Sequence, residues 1–419
     1  MEVPPSVASP AIPTPPSRMG SLDAYRGLVM LLMAGEVLNF HRTAENLPGN
    51  AFWNFLAHHQ SHAEWRGCTL HDLIQPSFSF LVGCALPWSV ANRRTGGQSF
   101  PRMLLHTLWR AFALVALGVV LRSTGGRATN FTFEDTLSQI GLGYTFLWLL
   151  AWRGPRVQVL ALAGILVGYW AWFAAGTLPA AGFDPASVGV PKDWPQWMDG
   201  FAAHWNKNAN PAHRFEVWFL NLFPRPKPFL YNGGGYLTLS FIPTLGTMIL
   251  GLLAGQWLRR TDLAPASRIR GLVIAGIVGL ALGTVLDLTG ICPGVKRIWT
   301  PSWVLFSGGW CALFLAAFHG LADVCGARRL VFPLVVVGMN SIFTYVVAHL
   351  WDGFFGSNLT KHLNTLVQWI GGPGTLKEGQ SFWNLVAGPA APTAQGAAVL
   401  GLIWLCCWWL WKKKVFIRI

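Results

Sequence analysis

About ten apolar stretches, each on the order of 20 residues, alternate with polar segments along the chain. A stretch of this length crosses the hydrocarbon core of a bilayer as an α-helix, because a helix satisfies its own backbone hydrogen bonds. The pattern therefore predicts an all-α, polytopic transmembrane bundle of about ten helices. The predicted spans are 22–40, 70–91, 103–121, 136–152, 157–176, 237–258, 271–289, 301–321, 331–351 and 395–411.

Basic residues occur in short clusters between these stretches, and their positions predict the orientation of the chain. An excess of Lys and Arg is typical of cytoplasmic loops, which places both the N-terminus and the C-terminus in the cytoplasm. The clusters are Arg93, Arg94 and Arg102; Arg153 and Arg156; Arg259, Arg260, Arg268 and Arg270; Arg328 and Arg329; and Lys412, Lys413, Lys414 and Arg418.

This orientation divides the chain into three regions. Residues 1–20 are rich in Pro and Ser and are expected to be a disordered cytoplasmic tail. Residues 21–411 form the transmembrane domain, and residues 412–419 form a basic cytoplasmic tail. The domain carries three long exterior loops, for which a binding function is expected because long loops in compact domains are usually functional. These loops are 41–69, 177–236 and 352–394.

The composition supports a membrane protein and argues against a nucleic-acid-binding one. Hydrophobic residues make up 53% of the 419 residues and charged residues only 11%, which is too few to cover a water-exposed surface. The net charge of +14 comes from the clusters between the spans, so it is explained by topology. The seven Cys lack the spacing of a metal or redox site, and no disulfide framework is expected.

The polar segment before the second span contains the densest group of chemically active side chains. Three interpretations of it remain open. A zinc site would use His58 and His62 with Glu64 or Asp72. A general base or nucleophile would be one imidazole oriented by Asp72 or Glu64. The third interpretation is a polar interfacial loop whose histidines contact only water.

Further polar residues are predicted to lie at the same exterior face of the membrane. Glu36 lies near the outer end of the first span without a neighbour in sequence to neutralise it, so it is expected to face a partner or a polar cavity. Together these residues predict a polar cavity that holds a polar substrate. The others are Glu134, Asp135, Asp287, Lys296, Arg297, His349 and Asp352.

Six sequence motifs occur in order over residues 20 to 350. They are SLDAYRG at 21–27, HAEWRGCTLHDLIQPSFSFLVG at 62–83, LSQIGLGY at 137–144, GYLTLSFIPT at 235–244 with GLLAG at 251–255, KRIWTPSWVLFSGG at 296–309, and FPLVVVGMNSIFTYVVAH at 332–349. In this series the chain resembles the heparan-α-glucosaminide N-acetyltransferase family and its bacterial relatives.

The resemblance implies transfer of an acetyl group from cytoplasmic acetyl-CoA to an amino sugar or glycan outside the membrane. It implies that His62 is the active-site histidine, and Asp72 is expected to orient its ring. Lys296 is expected to stabilise an oxyanion or to contact a CoA phosphate. Asn340 is expected either to act in the site or to join packed helices. The expected substrate-binding residues are Glu36, Trp65, Lys296, Asn340 and His349.

The working prediction is therefore an acetyl-CoA-dependent acyltransferase in the bilayer, at a bacterial inner membrane, with a second copy of the chain as a candidate partner. Two alternatives remain open. One is a transporter or flippase in which the same polar residues line a substrate path. The other is a glycan-binding scaffold built on an enzyme fold that no longer catalyses, with 177–236 as its binding surface. The sequence leaves open whether His62 acts as a base or carries the acetyl group.

Overall fold

The computed structural model describes residues 19–417 except 181 and 373, and this part of the chain contains helices and no β-strand. The helices pack into one bundle with connecting segments at both ends. They are α1 (Gly20–Ala34), α2 (Phe40–Asn46), α3 (Ala51–Gln60), α4 (Ile74–Thr95), α5 (Phe100–Ser123), α6 (Thr136–Leu150), α7 (Pro155–Ala174), α8 (Pro211–Leu220), α9 (Phe241–Leu258), α10 (Pro265–Leu288), α11 (Pro301–Phe318), α12 (Arg328–Gly338), α13 (Ser341–Leu350), α14 (Asp352–Gly371), α15 (Phe382–Ala387) and α16 (Ala391–Lys412).

Every predicted span overlaps a helix, which confirms a polytopic helical membrane protein. In the described residues, seven helical segments are long and apolar enough to cross a membrane, and α12 with α13 makes an eighth that is bent by 61°. The first and fourth predicted spans correspond to α1 and α6, which have 15 residues each. A helix of that length measures about 22 Å, and a 3₁₀ turn over Gly35–Leu38 extends α1 toward the outer end of the predicted span. The orientation of the termini stays a prediction.

Proline fixes where several of these helices begin. Pro155, Pro211, Pro265 and Pro301 occupy the first turns of α7, α8, α10 and α11. Proline is favoured there because the first turn lacks intrahelical acceptors for its N–H groups. Each helix start is therefore encoded locally.

Glycines allow the central helices to approach closely. A Cβ atom on Gly83 of α4 would collide with the backbone of Met248, and one on Gly251 of α9 would collide with the backbone of Phe80. Small residues at helix contacts are typical of membrane proteins, where dispersion rather than water exclusion drives association. The α4–α9 pair thus forms a rigid centre, and the chain segment containing Asp72 leads directly into α4.

The predicted loops contain helices that the hydropathy pattern does not indicate. Within 41–69 lie α2 and α3, within 177–236 lies α8, and 352–394 contains α14 and α15. Of the two predicted tails, residues 1–18 and 418–419 lie outside the described residues. The predicted exterior face, as used below, is the face that carries 41–69, 177–236 and 290–300.

An aromatic cluster at the predicted exterior face supports the site. Trp65 is fully buried among Phe173, Trp205, Leu237 and Ile298. Its indole Nε1 donates a hydrogen bond to the backbone oxygen of Trp205, at 3.1 Å. The cluster therefore joins the segment that carries His62 to the long 177–236 connection.

Candidate active site

The segment between α3 and α4 is a closed loop that presents His62. The Thr69 hydroxyl donates to the backbone oxygen of Ser61 at 2.6 Å and so ties the two ends of the loop together. Gly67 lies inside the loop with φ +110°, a conformation that other residues rarely adopt. The loop is thus held in one shape by its own hydrogen bonds, and His62 follows Ser61 directly.

Asp72 is completely buried beneath this loop and accepts hydrogen bonds from several of its groups. Its Oδ1 lies 2.9 Å from Nδ1 of His62. Its Oδ2 accepts from the backbone N–H groups of Ala63 and Thr69, at 3.1 and 3.0 Å. A carboxylate fixed in this way holds the orientation of the imidazole.

A second loop brings Lys296 to the same point. Its Nζ lies 3.0 Å from Oδ1 of Asp72 and 3.0 Å from Nδ1 of His62. An isolated antiparallel bridge pairs Arg66 with Val295, and the Arg297 guanidinium donates to the backbone oxygen of Ala63. These contacts bind the 290–300 segment to the His62 loop, so Lys296 meets His62 and Asp72 although 224 residues separate it from Asp72.

Burial sets the charge states of this group. Desolvation lowers the pKa of His62, and the nearby Lys296 ammonium lowers it further, while Asp72 acts in the opposite direction. Burial also lowers the pKa of Lys296, with Asp72 opposing the shift. His62 is therefore neutral at neutral pH. When Asp72 accepts its Nδ1–H, Nε2 keeps a free electron pair.

A cavity of about 440 Å³ opens beside His62 at the predicted exterior face. Within the described residues, Nε2 of His62 makes no hydrogen bond, and the side chain is partly exposed. A second imidazole lies close by, since the rings of His62 and His71 have centroids 4.6 Å apart. The lining also includes Glu36, Gln75, Arg122, Glu134, Asp135, Tyr236, Lys296, Tyr345 and His349.

The structure brings five of the seven predicted site residues together. His62, Glu36, Lys296 and His349 line the cavity, and Asp72 lies directly behind His62. Trp65 is buried in the aromatic cluster and supports the loop from behind. Asn340 lies outside this cavity, at the junction of α12 and α13, where it donates to the backbone oxygen of Val415 and accepts from the backbone N–H of Ile417.

Sequence reasoning passed over His71, although it stands directly before Asp72. Its Nε2 lies 3.0 Å from Oε1 of Glu36, and the ring is 7% exposed. The signal that could have identified it is its place at the start of α4, next to the carboxylate that orients His62. Among the described residues, no group of three or more His, Cys, Asp or Glu side chains could hold a metal ion.

Two curated proteins show the relationship of this chain to others. It is 22% identical to a protein from Homo sapiens over 96% of its own length, and 22% identical to one from Mus musculus over 81%. Both carry the name heparan-α-glucosaminide N-acetyltransferase. The chain is similar to these acetyltransferases. The resemblance predicted from its motifs is thereby confirmed.

The match to heparan-α-glucosaminide N-acetyltransferase covers only part of the relatives. The chain spans 60% of the human protein and 54% of the mouse protein. No protein-family model matches the chain.

Proposed function

We propose that this membrane protein transfers an acetyl group from acetyl-CoA to the amino group of a sugar or glycan. The observation that carries the proposal is the histidine–carboxylate pair of His62 and Asp72, which faces an open polar cavity at the end of a helical bundle. The names of the two relatives support the same reaction class.

His62 is suited to either of two roles in acetyl transfer. As a general base, its Nε2 would take a proton from the attacking amine while the nitrogen bonds to the thioester carbon. As a nucleophile, the same nitrogen would hold the acetyl group before the amine arrives. Both roles need a neutral ring at neutral pH, which the lowered pKa of His62 supplies.

Asp72 and Lys296 are proposed to position His62. Both contact the Nδ1 side of the ring, the side opposite to the reacting nitrogen. The geometry therefore favours the positioning role of Lys296 over the predicted stabilisation of an oxyanion near Nε2, because oxyanion donors must lie about 3 Å from the developing charge.

We propose that a second cavity holds part of the donor. Its volume is about 210 Å³, and Phe78 lines both this cavity and the one beside His62. Arg26 and Arg110 line it from the predicted cytoplasmic halves of α1 and α5. Guanidinium groups are well suited to phosphate, so we place the nucleotide part of acetyl-CoA here and its thioester near His62. We also propose that the protein lies in the inner membrane of a bacterium and forms a homodimer.

Transfer of labelled acetyl from acetyl-CoA to a panel of amino sugars tests the function, with purified protein in liposomes. His62→Ala is expected to abolish transfer while leaving acetyl-CoA binding. His58→Ala is the matched control, because His58 is exposed in the same region and does not line the cavity.

Two outcomes would contradict the proposal. A folded wild-type protein that neither binds acetyl-CoA nor transfers acetyl would reject it. Movement of a polar substrate across the liposome membrane without acetylation would instead favour a transporter or flippase.

A further inference from the structure

Acetylation of an amino sugar requires more proton transfers than a single histidine can carry out. The acceptor enters largely as an ammonium ion, so its nitrogen must lose two protons: one before it attacks and one as the N–C bond forms. The departing sulfur of CoA takes up one of them, and the other must leave the site. This proton balance rests on the proposed function.

The structure contains a second imidazole–carboxylate pair in the same cavity. Nε2 of His71 contacts Oε1 of Glu36 at 3.0 Å, while the ring is only 7% exposed. With its Nε2–H donated to Glu36, His71 keeps a free electron pair on Nδ1, which makes no hydrogen bond within the described residues. His71 thus resembles His62 in having one nitrogen oriented by a carboxylate and the other available.

Unlike Asp72, Glu36 reaches water. The Glu36 side chain is 62% exposed, whereas the Asp72 side chain is 1% exposed. The backbone at Glu36 is held in place by Gln60, which donates to the oxygen of Gly35 at 2.6 Å and accepts from the N–H of Phe40 at 3.0 Å. Glu36 therefore stands fixed between a buried imidazole and the solvent of the predicted exterior face.

We infer that His71 and Glu36 form a proton-exit pair, which removes the first proton from an ammonium acceptor and releases it to exterior water. Nδ1 of His71 accepts a proton from the ammonium nitrogen, and the Glu36 carboxylate stabilises the resulting imidazolium. The imidazolium proton then leaves through Glu36. The neutral amine forms its bond to the acetyl carbon, the C–S bond breaks, and the second proton passes through His62 to the sulfur.

The short distance between the two rings gives the order of events. With centroids 4.6 Å apart, His62 and His71 would repel each other if both were protonated. His71 must therefore discharge its proton before His62 accepts one, and an exposed carboxylate allows this. The other ionisable groups that line the cavity are Arg122, Glu134, Asp135, Tyr236, Lys296, Tyr345 and His349.

The test compares two acceptors in the same liposome assay. Glucosamine is an ammonium ion at about pH 6 and becomes neutral by about pH 9, whereas methoxyamine is neutral throughout. His71→Gln and Glu36→Gln are expected to slow glucosamine acetylation roughly 10- to 100-fold at the lower pH, with the defect shrinking as the pH rises. Methoxyamine acetylation should fall much less than glucosamine acetylation in the same variants at the lower pH.

Controls separate this inference from the proposed function. Glu45→Gln changes an exposed glutamate of α2 outside the cavity and should behave as the wild type. Failure of the wild type with both acceptors would count against the acetyltransferase itself. If the wild type is active and the His71 and Glu36 variants lose both acceptors equally at every pH, or lose neither, the proton-exit pair is rejected. Retained acetyl-CoA binding shows that the variants are folded.

Discussion

Asp72→Asn separates the catalytic and structural roles of the buried ion pair. Asp72 is the shared partner of His62 and Lys296, at 2.9 and 3.0 Å, and both charged side chains of the pair are almost inaccessible to water. Asparagine has nearly the same shape but carries no charge. Its amide oxygen can accept from only some of the donors that surround the carboxylate.

The expected effect on stability follows from the burial of Lys296. Removing one partner of a buried pair leaves an uncompensated charge and typically costs about 3–5 kcal/mol. In the double variant Asp72→Asn/Lys296→Met no ammonium remains, so most of that loss should be recovered. The effect on activity should be different. Without the carboxylate, His62 is no longer held in the required tautomer. The kcat should therefore fall roughly 10²- to 10⁴-fold in Asp72→Asn and also in the double variant.

The assay combines unfolding in detergent with acetyl transfer in liposomes for the wild type, both single variants and the double variant. A double variant that is more stable than Asp72→Asn but equally inactive would support the reasoning. If Asp72→Asn and the wild type have the same free energy of unfolding, the buried pair makes no net contribution to stability. If the double variant regains wild-type kcat, Asp72 does not orient the catalytic ring.

Two other predictions concern Glu216 of α8 and the orientation of the chain. Burial raises the pKa of the Glu216 carboxyl to about 7, so the folded state holds this proton more tightly than the unfolded state. The free energy of unfolding of the wild type should therefore fall by about 3 kcal/mol as the pH rises from the usual glutamate pKa to about 7. Unfolding curves measured at a series of pH values should show that Glu216→Gln loses this dependence. If the free energy of unfolding changes equally with pH in the wild type and in Glu216→Gln, this prediction is wrong. In intact cells, a membrane-impermeant maleimide should label Lys192→Cys and leave the exposed Cys325 unlabelled, in a background where Cys68 is replaced by Ser. The reverse labelling pattern would overturn the predicted orientation.

Much of the candidate site was accessible to sequence reasoning because its central part is local. His62 and Asp72 are ten residues apart, and the polar loop before an apolar span marks them both. The contribution of Lys296 could be predicted only through a motif, because 224 residues separate it from Asp72. Trp65 illustrates the limit of this reasoning. Its position in the motif predicts that Trp65 lines the cavity, but its ring packs in the aromatic cluster instead.

The sequence by itself determined that the chain is a helical membrane protein, because hydropathy over about 20 residues and the placement of charge act locally. The starts of α7, α10 and α11 at proline were determined in the same local way. Only the tertiary structure decided which polar side chains meet. Asn340 and His349 lie nine residues apart, but one holds the C-terminal segment and the other lines the cavity, because they stand at opposite ends of α13. Distances between helices depend on packing and on loop contacts such as the Arg66–Val295 bridge, and neither is encoded in a local pattern.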